Sequence, residues 1–194
     1  MQPPVFELSQ AKARLTSYTP RRELHGEDPK PAATLRFDVT LSADDLAMFS
    51  PTLRHSLYCK NENAQGQTDA VNALAAANDV RYPEISKPLA WKKEIIGAEL
   101  RIDYGLGGDS DIILPMSDVD EFSIDAQPGG MVVVAIRIAC HPDKTQSGNL
   151  AFMIGRDVEI SLAPPSPVEH DLAGEKPKRQ SKKEARESAE SAFH

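Results

Sequence analysis

Between Ile102 and Ile136 the chain carries seven acids (Asp103, Asp109, Asp111, Asp118, Asp120, Glu121 and Asp125) and no lysine or arginine. Carboxylates at such density could bind a metal, act as a catalytic pair, imitate nucleic acid, or simply form a solvated face. A calcium loop needs oxygens at regular short intervals, in the pattern D-x-[DN]-x-[DN]-G with a glutamate at the twelfth position. Asp109-Ser110-Asp111 and Asp118-Val119-Asp120-Glu121 each begin that pattern and neither completes it. The two clusters flank the strand-like SDIIL, which separates them by roughly 15–20 Å at about 3.3 Å per residue. Paired catalytic carboxylates lie roughly 5–10 Å apart. The reading is therefore outward-facing turn and strand residues, with Asp109, Asp111, Asp118, Asp120 and Glu121 as a charged surface for a partner and no catalytic role.

Other chemistry-bearing residues are sparser. His55 and Cys59 stand at i, i+4, a spacing that puts two zinc ligands on one helical face. Cys140 and His141 are adjacent at a strand end and point to opposite faces, so the four cannot share an ion and no metal is expected. Gly105-Leu106-Gly107-Gly108 is followed by acids, which suits a turn and repels phosphate. There is no G-x-S-x-G, and neither cysteine has a basic setting, so nothing nominates a nucleophile and no enzyme or cofactor is expected. Tyr82, Trp91, Lys92 and Lys93 interleave rings with ammonium groups. With Lys178, Arg179, Lys182 and Lys183 of the C-terminal segment, they form the pattern that binds single-stranded nucleic acid. Trp91, the one tryptophan, is read first as a core anchor.

These residues need a scaffold, and 194 residues with 40% hydrophobic content supply one core. Nine of the fifteen prolines lie before residue 34 or after residue 163. The expected division is thus an extended N-terminal arm (1–33), a globular domain (34–165) and a disordered charged tail (166–194). The domain is acidic, with nineteen Asp/Glu against eleven Lys/Arg. LRFDVTL (35–41) alternates as a half-buried strand. AELRIDY, SDIIL, EFSID, MVVVAIRIAC and DVEISL follow, separated by GLGG, PMSD and QPGG as turn signals. Ser42 with Asp45 reads as a capping box, Leu46, Phe49, Leu53 and Leu57 recur at helical spacing, and Pro142 opens a further short helix. TDAVNALAAAN reads as a weak helix. The fold class is mainly β, an antiparallel β-sandwich or partly open barrel with two to four short helices. No 18-residue apolar run or signal core occurs, and two cysteines make no disulfide framework, so a soluble protein of a reducing compartment is expected.

DYGLGGDSDIIL, GGMVVVAIRIACHPDKTQSGNL and DVEISLAPP together resemble small uncharacterised proteins of tailed phages and prophages, over roughly residues 35–165. The resemblance implies a bacterial host cytoplasm and an accessory role, and it carries over no site residues. The leading expectation is a non-enzymatic binding protein that offers its acidic face to a basic or nucleic-acid-associated protein. A single-stranded DNA binding accessory of replication or recombination is the alternative, and a capsid or tail component, with a homo-oligomer as one option, is the third.

Overall fold

The computed structural model describes residues 5–25, 28–59, 79–85, 87–104 and 110–165, with backbone alone at 24, 25, 28 and 29. The chain is mainly β. Strands β1 (Leu8–His25), β2 (Asp28–Ser42), β6 (Ile95–Ile102), β7 (Ile112–Gln127), β8 (Met131–Cys140) and β9 (Asp157–Ala163) are antiparallel neighbours in the order β7-β6-β9-β1-β2-β8. A further β7–β8 pairing closes that order into a ring. β5 (Leu89–Trp91) adds to β7, while β3 (Tyr58–Cys59) and β4 (Asp79–Val80) form a separate ribbon. A 3-10 turn (Ala43–Met48), α1 (Leu53–Leu57) and α2 (Lys144–Phe152) complete the described elements.

Period-two alternation does what it predicts. Phe37, Val39, Leu100, Ile102, Val132, Val134, Ile136, Ile160 and Leu162 all point into the ring and are buried. Removing each from water contributes about 1.5–3 kcal/mol. Phe6, Phe49, Phe122 and Trp91 form an aromatic cluster with ring centroids 5.0–6.0 Å apart, in tilted and edge-to-face contacts. Tyr58 donates its hydroxyl to the carbonyls of Met131 (2.6 Å) and Gln127 (3.2 Å), tying the helical segment to the β7–β8 turn. The expected Ser42 cap forms, and Asp143, which was not singled out from sequence, supplies a second. Asp45 Oδ2 accepts from the Ser42 N–H and Oγ–H, and Asp143 exchanges bonds with Gln146.

Two sequence expectations change. SDIIL and EFSID are not separate strands, because the intervening PMSD does not turn. β7 runs unbroken through Pro115, with Met116 at φ +52° and Glu121 at φ +49°. Each positive φ accompanies a register shift, at Ala98/Leu100 against β6 and at Asp120/Ser123 against β8. These bulges bend one long strand, so that its first half pairs with β6 and its second half with β8. That bend closes the barrel.

The other change is at the N-terminus. Residues 8–25, expected as an arm outside the domain with one short strand near Val5–Leu8, are β1. This strand buries Ala13 and Leu15 between β9 and β2, and residue 33 lies inside β2, so no domain boundary falls there. The prolines that suggested irregular chain occupy strand positions which need no N–H. Ala43 donates to Gly130 (2.8 Å), which fixes the odd-numbered residues of β2 as those that bond toward β8. Pro29 and Pro31 are odd, and β8 ends at Cys140, opposite Ala33. Their missing donors therefore face an edge with no neighbouring strand among the described residues, where proline is tolerated. The expected TDAVNALAAAN helix and the 166–194 tail lie outside the described residues.

Candidate functional site

The acidic stretch is built into the barrel wall, and arginines from adjacent strands meet most of it. On β6, Arg101 donates through Nε (3.0 Å) and Nη2 to Asp111 Oδ2, while the Tyr104 N–H reaches Oδ1 (3.3 Å). The Asp111 side chain is only 3% exposed, and the guanidinium holds its carboxyl below the usual range. On the other half of β7, register places Asp120, Arg137 and Arg36 in one row. Arg137 grips Asp120 with two parallel bonds, Nε to Oδ1 at 2.7 Å and Nη2 to Oδ2. Glu121 bridges Arg36 (2.7 Å) and Arg137 (3.0 Å). In a regular strand, consecutive side chains point to opposite faces. The left-handed Glu121 puts both Asp120 and Glu121 within reach of the same guanidinium. Asp118 instead accepts the Gly97 N–H (3.0 Å), and Asp109 lies outside the described residues.

These four described carboxylates are thus ion-paired or hydrogen-bonded structural groups. Among the described residues no cluster of three or more His, Cys, Asp or Glu is arranged to hold a metal. Cys140 is buried with its thiol 3.8 Å from the Ala33 carbonyl oxygen, and burial pushes its pKa up to about 12, far from a reactive thiolate. His141 turns outward to Glu23 (3.1 Å).

The aromatic–basic residues are partly gathered. Trp91, Lys92 and Lys93 line a hollow of about 480 Å³ together with Glu94, Asp120 and Glu121. Trp91 sits opposite Phe122, so its ring shares the inward face and packs edge-on against Phe49. That is the core-anchor geometry, and it leaves little of the ring for a base to stack on. Lys93 Nζ donates to the Met48 carbonyl (3.0 Å) and lies about 6 Å from the Phe6 and Phe49 ring centres, with burial lowering its pKa. Tyr82 is exposed and borders a separate small hollow with Lys87 and Leu89. Lys178, Arg179, Lys182 and Lys183 lie outside the described residues.

The larger feature was not singled out from sequence. An open groove of about 1270 Å³ crosses the outer wall over β9, β1, β2 and β8. Register orders its polar lining. Glu159 stands beside Lys12, and Arg14 stands between Asp157 and Asp38. Asp103 joins the Glu159 side through its N–H to the Glu159 carbonyl (2.9 Å). Tyr104 and Val133 supply apolar surface, and Arg156 covers the Phe152 ring at 4.1 Å. Four carboxylates meet three cations here. Asp38, Asp157 and Glu159 make no ion pair among the described residues, unlike Asp111, Asp120 and Glu121. The signal in the sequence was the polar half of each alternation, Asp38 in LRFDVTL and Asp157 and Glu159 in DVEISL.

No family model, curated protein or solved structure matches the chain. No helix among the described residues is long and apolar enough to cross a membrane.

Proposed function

We infer that this chain is a non-enzymatic accessory protein of the phage or prophage type. In this reading it works in a bacterial cytoplasm by binding a basic or nucleic-acid-associated protein on the outer wall of its barrel. The observation that supports this is the groove, an open channel whose carboxylates Asp38, Asp157 and Glu159 are not taken up by internal arginines. An extended segment bearing lysine or arginine fits there, with its cations beside those three acids and its apolar side chains on Tyr104 and Val133. A net charge of −7 speeds the approach of a basic partner. The acids first read from sequence, Asp111, Asp118, Asp120 and Glu121, act in this reading as the frame that holds the wall.

The test is binding of a lysine-rich peptide by the full chain, followed by fluorescence anisotropy across a salt series. Asp38→Asn combined with Asp157→Asn should weaken binding at least several-fold and flatten its salt dependence, whereas Asp118→Asn should not. Equal losses from both changes would refute the placement, and no binding by any of the chains would refute the reading. The hollow shared by Trp91, Lys92 and Lys93 favours single-stranded DNA as the second reading. A gel shift at low salt that is lost in Trp91→Ala and in Lys92→Ala would select it.

A further inference from the structure

The long hairpin of β1 and β2 outruns its neighbours, and its two edges differ. β1 pairs with β2 through to His25 opposite Asp28, but β9 accompanies β1 only from Leu8 to Arg14, with residues 155 and 156 adding bonds to Leu15. The bulge between Leu15 and Ser17 then inverts the bonding parity of β1. Before it, Leu15 bonds toward β9. After it, the odd residues bond β2, and Tyr18, Pro20, Arg22 and Leu24 turn their backbone groups away from β2. No strand among the described residues pairs with that edge. It presents the N–H groups of Tyr18, Arg22 and Leu24 and the carbonyls of all four residues. On the opposite edge, beyond Ala33, Pro29 and Pro31 remove every outward donor. One edge of the ribbon is shut by proline, and the other is left open, which natural sheets generally avoid.

We propose that the open β1 edge, from Tyr18 to Leu24, is a strand-addition site for an extended acidic segment of a partner protein. Main-chain bonds give such a contact its grip, and the flanking side chains give it preference. Arg22 is exposed and has no carboxylate partner among the described residues. Arg21 beside it is exposed and 3.3 Å from Glu23. An incoming residue opposite Arg22 places its Cβ about 5 Å away, within reach of a carboxylate. A second copy of this chain fits worse, since antiparallel pairing about Arg22 would set two guanidiniums side by side. This site is separate from the groove and does not depend on the reading given for it.

The experiment uses the ¹⁵N-labelled full chain and two short capped peptides, one alternating glutamate with valine and the other lysine with valine. Amide hydrogen exchange is read residue by residue. The acidic peptide should slow exchange at Tyr18, Arg22 and Leu24 by about tenfold or more, and the lysine peptide should not. Arg22→Glu should reverse that preference. Leu24→Pro should abolish protection at Tyr18 and Arg22 without moving the melting temperature, because the N–H it removes faces the edge that no described strand pairs with. Slow exchange of these amides in the free protein, an equal response to both peptides, or no response to either would each overturn the proposal.

Discussion

Replacing Arg137 with methionine tests whether the arginines hold the acidic wall together. Arg137 makes the two-bond grip on Asp120 and a 3.0 Å contact with Glu121, and Arg36 supports Glu121 from the next strand. An isolated exposed ion pair contributes about 0.2–1 kcal/mol, while a hydrogen bond to a charged group contributes about 1.5–3 kcal/mol when shielded. The Arg137 and Asp120 side chains are 35% and 32% exposed, which screens them well below the shielded figure. The two-bond geometry and the shared Glu121 lift them above an isolated pair. The expected cost of Arg137→Met is therefore about 1–2 kcal/mol at neutral pH. Asp120 is held below its ordinary pKa, chiefly by its bond from Arg137. A depressed carboxyl stabilises the fold above its unfolded pKa, near 4, and that contribution is lost as pH falls through the folded value. The gap between the native chain and the variant should thus be full at pH 7 and shrink below about pH 4. Urea unfolding at the two pH values measures it, and a double-mutant cycle with Asp120→Asn should return a coupling of about 1 kcal/mol. A coupling near zero, or a gap that persists unchanged in strong acid, would refute the account of the wall.

Tyr58→Phe should cost about 1–2 kcal/mol in urea unfolding, because the Met131 carbonyl loses a buried donor at 2.6 Å. Gly97→Ala should cost about 1 kcal/mol or more, since Gly97 sits at φ +76°, where an added Cβ is strained although its contacts would be ordinary at 3.8–3.9 Å. Cys59, only partly buried, should react with a thiol reagent well before Cys140, whose pKa of about 12 and burial protect it until the barrel opens. Phe37→Ala should cost about 3–5 kcal/mol, because the ring lies wholly inside the barrel.

Element type was legible where alternation was strict. LRFDVTL, MVVVAIRIAC and DVEISL carry their inward faces in the letters, and Ser42 with Asp45 announces its cap. Bulges were not legible. A left-handed methionine after a proline looks like a turn, and only pairing with β6 and β8 forces the chain to run straight through it. Prolines 20, 29 and 31 read as breakers, because sequence does not say which N–H groups face an empty edge. The acidic window misled for a narrower reason. Its limits, Ile102 and Ile136, stop one residue short of Arg101 and Arg137, the two cations that neutralise it, and the third lies on β2.

That pairing changes where recognition can reside. The bulge at Glu121 does two things at once. It turns β7 onto β8 to close the barrel, and it aims two consecutive carboxylates at one guanidinium. A partner that recruited Asp120 or Glu121 would have to draw them away from Arg137 and Arg36, and so would loosen the strand pairing on which closure depends. Carboxylates at Asp38, Asp157 and Glu159 carry no such obligation. They stand on strands whose register is already fixed by buried Phe37, Val39 and Ile160, so a basic segment can engage them at no cost to the fold. The geometry thus divides the acids: those at the bulged seam hold the barrel shut, and in the function proposed above Asp38, Asp157 and Glu159 meet the basic partner.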